Sequence, residues 1–341
     1  MRNSELARVL RAANPWWSRR RRATWVLDDD DLAARARHEW APATACARAA
    51  LAPLADGPRP ATVTLVVGPR GVGKTTAVKD VVAHLVADPA TDPRRVVLIP
   101  AQLTDATGTL DDLEPADLAT AVRTPTRTGA PACDGPRVLV VDEVGAVAGW
   151  PRVLADAARR GDQVVATTSV LDPADLAELE AACPAGSLTV RRLQPASLSE
   201  LLGACPTAAV GDVRAAYLRH GGLPRAVAEH RDLGDVSPEL VASLAAGLHR
   251  DVCRGVDGCP LDLLLSGVCA TTDRFVEPEP LARLLGLSTA EVGRLLARLE
   301  HAHVLDPRRG LVDPLLHRLP SLIAPERHVP PTAQHIATFS H

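Results

Sequence analysis

Four short, largely apolar runs mark the middle of the chain, at residues 62–67, 95–100, 137–141 and 163–169, with 188–193 as a candidate for a fifth strand. Runs of that length without polar alternation predict strands buried on both faces. Between them lie stretches with helical spacing, at 75–85, 110–122, 151–160 and 173–182. Strand and helix in alternation predict a three-layer α/β domain around a mostly parallel sheet. Beyond Pro195 the strand runs cease, and short helices are expected at 197–202, 210–220, 223–230, 238–250 and 260–270. A helix at 280–285, the turn Gly286-Leu287-Ser288, a helix at 289–300 and a small hairpin at 304–312 then follow in the order of a winged helix. Before the first strand, Ser4 is placed to cap a short helix that Pro15 ends. Trp16 and Trp17 read as a packed aromatic anchor, and the arginines at 19–22 as a cluster neutralised by the aspartates at 28–31.

Composition adds bounds. At 341 residues the chain holds two or three domains, and 46% hydrophobic content excludes wholesale disorder. Aromatics are only 2%, so the cores must be built from Ala, Leu and Val. A net charge of -3 offers no global attraction for nucleic acid or anionic lipid, which leaves only a local basic patch for such a contact. All but two of the 38 cationic residues are arginine, the exceptions being Lys74 and Lys79. Seven cysteines, an odd number without a Cys-x-x-Cys pair, fit reduced thiols and a cytoplasmic location. Cys253, Cys259 and Cys269 are spaced by six and ten residues, wrong for a zinc knuckle, and read as buried thiols like the other four. No apolar run approaches the ~18 residues of a membrane span, so a soluble protein without a membrane partner is expected.

The strongest chemical signal is Gly68-Pro69-Arg70-Gly71-Val72-Gly73-Lys74-Thr75, followed by Thr76, between the first strand and its helix. It matches the phosphate-loop pattern in full. Glycines let successive amides turn inward around an anion, Lys74 reaches the β- and γ-phosphates, and Thr75 completes the coordination of Mg2+. The apolar run 138–141 ends in Asp142-Glu143. Asp142 is placed to hold the magnesium, and Glu143 to polarise an attacking water. The next strand ends in Thr167-Thr168-Ser169, any of which can orient that water or sense the γ-phosphate, and each of which is equally a strand-end cap.

These residues resemble the AAA+ ATPases, in particular a prokaryotic group related to initiator-type and STAND-type ATPases. The likeness rests on the phosphate loop, Asp142-Glu143 followed by Trp150, Thr167-Thr168-Ser169, Leu193-Gln194-Pro195-Ala196-Ser197-Leu198, Tyr217-Leu218 with Gly221-Gly222-Leu223-Pro224, and Asn14-Pro15-Trp16-Trp17. It implies an α/β P-loop NTPase core, a helical lid and a winged helix. The corresponding boundaries are a helical extension at 1–58, the ATPase core at 59–195, the lid at 196–236, the winged helix at 237–319 and a tail at 320–341. Gly186-Ser187 stands where the group has Gly-Arg, so the usual arginine finger is missing, with Arg191 and Arg192 as substitutes or plain strand-end charges. Arg225 follows the lid signature and is a candidate for the γ-phosphate. The nuclease-like domain that ends some relatives has no counterpart after Leu319.

The resemblance implies an ATP-binding, ATP-hydrolysing protein whose nucleotide state moves the lid and winged helix. The alternative is a slow or non-hydrolysing switch that binds a protein partner or DNA. A small-molecule kinase lacks an acceptor site. In the second helix of the winged helix, Val292, Leu295, Leu296 and Leu299 form the buried side, while Arg294 and Arg298 share a face. With Arg308 and Arg309 in the wing they are the candidate DNA contact; a structural or protein-docking role is the competing one.

Overall fold

The computed structural model describes residues 3–37, 61–104, 110–123, 130–253, 261–270, 277–306 and 310–323. The chain divides into two compact units. One contains the N-terminal helices, the first strand and Lys74–Leu193; the other joins Gly68–Gly73 to the chain from Gln194 onward.

In the first unit the strands are β1 (Val63–Val67), β2 (Val96–Pro100), β3 (Gln102–Thr104), β4 (Leu110–Asp112), β5 (Val138–Asp142), β6 (Gln163–Thr168) and β7 (Leu188–Arg192). Five of them make a sheet in the order β2-β5-β6-β1-β7, with every pairing parallel. Its helices are α1 (Asn3–Ala13), α2 (Trp25–Asp28), α3 (Asp30–Arg37), α4 (Lys74–Ala87), α5 (Pro115–Arg123), α6 (Trp150–Arg159) and α7 (Pro173–Ala182). Both faces of the sheet are covered, which is why β1 and β6 are apolar or buried at every position. The core joins Leu65, Ile99, Leu139 and Val164 to Leu118, Trp150 and Leu154 from the helices.

The N-terminal segment closes an edge of this sheet. Asn14 donates to the Leu98 carbonyl and accepts from the Leu98 amide, both at 2.7 Å. The indoles of Trp16 and Trp17 both donate to the Val96 carbonyl at 3.1 Å. Edge strand β2 thus has side chains where a neighbouring strand would otherwise pair. Trp16 is fully buried, its ring centroid 4.8 Å from that of Trp25, as the expected aromatic anchor requires.

Four local expectations need correction. Ser4 lies inside the first turn of α1, which starts at Asn3, and is not its cap. Asp29 and Asp31 hold Lys79, at 2.8 and 2.6 Å, rather than serving only the arginine run. Burial works against the Lys79 charge, yet the two carboxylates keep its ammonium above its ordinary range. The helix expected over 110–122 is split: Leu110–Asp112 pairs antiparallel with Gln102–Thr104, and α5 begins only at Pro115. Leu110 and Leu113 sit three apart, as on a helix, but the Leu113 amide closes the ribbon on the Ala101 carbonyl at 2.8 Å. Finally, Cys253 is disulfide-bonded, not a free thiol. Among the described cysteines Cys133, Cys183, Cys205 and Cys269 are free, and only Cys269 of these is buried. Burial pushes its thiol up to about 12. Cys46 and Cys259 lie outside the described residues.

The second unit is helical: α8 (Leu198–Ala204), α9 (Val210–His220), α10 (Pro224–Leu233), α11 (Pro238–Cys253), α12 (Leu261–Ala270), α13 (Pro278–Leu285), α14 (Thr289–His301) and α15 (Pro314–Ile323). Ser197 and Ser288 each open a helix with a capping box, using Glu200 and Glu291. The hairpin after α14 is reduced to one antiparallel bridge, Leu305 to Leu311. A helix, α15, occupies residues partly assigned to the tail. Pro314 is tolerated because it sits in the first turn, where Asp313 accepts from the Leu315 amide at 2.8 Å. No helix among the described residues is long and apolar enough to cross a membrane.

Asp313 also fastens the turn between α9 and α10, accepting from the Gly222 amide at 2.6 Å. A Cβ on Gly221, at φ +67°, would strike that carboxylate, and one on Gly222 would strike the Ala196 carbonyl. The Gly-Gly pair is therefore required by close approach as well as by backbone shape.

Candidate functional site

The chemistry gathers at the carboxyl ends of β5 and β6, where open parallel sheets place their ligands. Lys74 opens α4, and its side chain is almost wholly buried, at 3% exposure, an environment that demands a polar partner. It has two: Ser169 Oγ at 2.8 Å and Glu143 Oε1 at 3.2 Å. One residue on, Thr75 Oγ1 donates to Asp142 Oδ2 at 2.8 Å. Asp142 Oδ1 accepts from Thr167 Oγ1 at 2.5 Å, and that same hydroxyl accepts from the Glu143 amide at 2.9 Å. Burial pushes the Asp142 carboxyl up, and the charge of Glu143 adds to it, while Thr167, Thr75 and Lys74 pull the other way.

Glu143 sits in the left-handed region, φ +57°, unusual for a residue with a side chain. The turn aims its carboxylate back at the tip of β6. There Oε1 accepts from Ser169 Oγ at 2.7 Å and Oε2 from the Ser169 amide at 2.9 Å. Ser169 is thus the hinge of the network, accepting from Lys74 and donating to Glu143. Of the three strand-tip candidates, Thr167 faces Asp142 and Ser169 faces Glu143. Thr168 turns away, donating to the Val170 carbonyl at 2.5 Å. The sequence left the three equivalent. Alternation along the strand, which puts Thr167 and Ser169 on one face, is the signal that separates them.

In the phosphate loop, Gly71 at φ +77° and Gly73 at φ +91° occupy conformations that a side chain resists. A Cβ on Gly71 would also lie 3.0 Å from Leu244. Arg70 directs its guanidinium to Asp251 at 2.6 Å, leaving its backbone amide as its contribution to an anion cradle. Pro69, Val72 and Thr76 complete the loop and the start of α4, Val72 being buried. Arg225 pairs with Glu229 on its own helix at 2.8 Å. Arg191 and Arg192 are exposed on edge strand β7.

For a divalent cation, the available donors are the Thr75 hydroxyl and the Asp142 carboxylate, hard oxygen ligands already in contact with each other. Among the described residues no group of three or more His, Cys, Asp or Glu is gathered as a metal cage. The Thr75–Asp142 pair offers the one or two protein oxygens by which magnesium is held when phosphates and water complete its shell. On α14, Val292, Leu295, Leu296 and Leu299 are buried and Arg294 is exposed. Arg298 is spent on the Val252 carbonyl at the end of α11, at 3.1 Å. Arg308 and Arg309 lie outside the described residues.

Residues 60–202 match the family model described as AAA domain. No curated protein matches the sequence. Among solved structures the chain is similar to the Aeropyrum pernix ORC1 protein in complex with DNA, at 17% identity over 81% of this chain and 91% of that one, TM-score 0.35. It is similar also to the Aeropyrum pernix ORC2 protein in its ADPNP-ADP complexes, at 14% identity over 82% and 91%, TM-score 0.41. A third is C. elegans PCH-2, at 13% identity over 74% and 66%, TM-score 0.29.

Proposed function

We propose, from the match of residues 60–202 to the family model described as AAA domain, that the chain is a P-loop ATPase that binds ATP with magnesium and hydrolyses it. The observation that supports this is the continuous contact of Lys74, Ser169 and Glu143 beside the pair Thr75–Asp142. The amides of Gly68 to Gly73 and the ammonium of Lys74 would hold the phosphates. Thr75 and Asp142 would hold the magnesium, whose chemistry is to neutralise charge on the phosphate oxygens. Glu143 would accept a proton from the attacking water, with Thr167 keeping Asp142 and the Glu143 backbone in place. Residues 196–236 would serve as a lid and 237–319 as a winged helix, both following the nucleotide. Arg225 would become available to a γ-phosphate only by leaving Glu229.

A second reading draws support from the same carboxylate. Both oxygens of Glu143 are engaged, by Ser169 and by Lys74, which leaves few lone pairs for an attacking water. A slow or non-hydrolysing switch, whose winged helix docks a protein or DNA, fits that arrangement. Exposed Arg294 is its candidate phosphate contact.

One experiment separates the two: ATP turnover with magnesium, with and without duplex DNA, for wild type, Lys74→Ala and Glu143→Gln. The ATPase reading expects turnover in wild type and a loss of at least ~100-fold in both variants. ATP binding without turnover under either condition sinks it in favour of the switch. Stimulation by DNA supports a DNA-contacting winged helix.

A further inference from the structure

Within the second unit, the phosphate loop is tied to helix α11 by one ion pair between residues 181 apart in the chain. Arg70 Nε donates to Asp251 Oδ2 at 2.6 Å, and Nη2 donates to Oδ1 at 2.7 Å. The arrangement is bidentate, which fixes orientation as well as distance. It is also largely shielded, with side chains 15% and 8% exposed. Arg70 reaches Asp251 by lying across Gly247, where a Cβ would come within 2.4 Å of its Cδ. Helix α11 therefore carries a glycine in mid-helix, unfavourable there compared with alanine, at the point where the arginine stem crosses it. Around the pair the packing continues: Leu244 of α11 and Leu223 approach Gly71, and Pro224 approaches Gly73.

We propose that Asp251 is a positioning residue for nucleotide binding, holding Arg70 and with it the backbone from Gly68 to Gly71 in the curve that receives phosphate. The proposal rests on the nucleotide-binding reading above and names a residue that no phosphate-loop motif contains. Three glycines in six residues give this loop a large conformational freedom to lose on binding. A shielded, two-pronged anchor in its second turn removes much of that freedom beforehand, so less affinity is spent on ordering. Asp251 also cancels the Arg70 charge, so the loop takes phosphate through amides and Lys74 rather than through this guanidinium.

The test is ADP binding, measured by calorimetry with magnesium, for wild type, Asp251→Asn, Arg70→Met, the double variant and Asp251→Glu. Each single variant should weaken ADP binding about tenfold, and the double no more than either, because both remove one shared interaction. Asp251→Glu, which keeps the charge, should recover most of the affinity. Circular dichroism and melting curves on the same samples show whether each variant is folded. Should Asp251→Asn not fold, Arg70→Met, on the loop itself, decides alone. ADP affinity unchanged within about twofold in the folded variants overturns the proposal, as do effects that simply add. Tighter binding overturns it in the opposite sense, since Asp251 would then be restraining Arg70 from the phosphates. If wild type takes up no ADP, the nucleotide reading itself falls and this proposal with it.

Discussion

Thr168 and Ser169 are adjacent at the tip of β6, yet one hydroxyl closes its own loop on Val170 while the other joins Lys74 to Glu143. Their substitutions should therefore differ in kind. On the proposed hydrolytic role of Glu143, Ser169→Ala removes its bridge to Lys74, and ATP turnover should fall by about 10–100-fold with ADP affinity little changed. Thr168→Val should leave turnover close to wild type and lower the melting temperature, because a buried loop contact is lost. Steady-state turnover and thermal melts on both variants check this; equal loss of turnover would contradict the division. The left-handed backbone at Glu143, costing on the order of 1–3 kcal/mol, is what lets a residue at the end of β5 face the tip of β6.

Among the elements, the N-terminal segment gives the sheet a finished edge. Asn14→Ala would leave the buried amide and carbonyl of Leu98 without their partner. A loss of about 2–4 kcal/mol is expected in urea unfolding, with a greater tendency to associate by light scattering. How far such features can be read from sequence depends on the range of the contact. The apolar runs of β1, β2, β5 and β6 and the phosphate loop were legible because burial on two faces and an anion cradle each leave a local signature, whereas edge strand β7, half-buried at best, carries a weaker one. Leu110 to Leu113 was misleading, since spacing by three is satisfied by a helix and, equally, by a ribbon end. Pro320 suggested a terminating chain from residue 320, yet the helix α15 runs on to Ile323 with that proline inside it. The Arg70–Asp251 pair was invisible, because no local pattern marks an aspartate on α11 as the partner of a loop residue 181 positions earlier. Asn14-Pro15-Trp16-Trp17 was noticed as a recurring string, but its edge-covering role requires knowing that β2 is outermost.

At the scale of the folded molecule, two buried groups around the Gly221-Gly222 turn set opposing responses to acid. Burial raises Asp313 to about 6, so the folded chain keeps a proton there that an unfolded chain has released. Its contribution is present at low pH and is lost as pH rises through 6. Burial lowers His220 to about 4, with His230 and nearby arginines adding to it against the Gly221 carbonyl, so the folded imidazole stays neutral where the unfolded one is charged. Its contribution is present above the ordinary histidine value and is lost as pH falls through 4. Each is worth about 3 kcal/mol, and between pH 4 and 6 they offset. Asp313→Asn should therefore make stability climb with pH across that window, and His220→Gln should make it fall, by comparison with a flatter wild type. Urea midpoints at about pH 4.5 and 6.5 read this; parallel curves in all three proteins would refute it.

The indoles that finish the edge of β2 have a further consequence. Trp16 and Trp17 both hydrogen-bond to the carbonyl of Val96, Trp16 packs against Trp25 at a tilt, and Trp150 is buried in the same unit, whereas residues 194–341 contain no tryptophan and the chain's single tyrosine, Tyr217. Four of the chain's five tryptophans, Trp16, Trp17, Trp25 and Trp150, therefore report on the sheet and its edge, and a change confined to residues 194–341 would have to be followed with a label of its own.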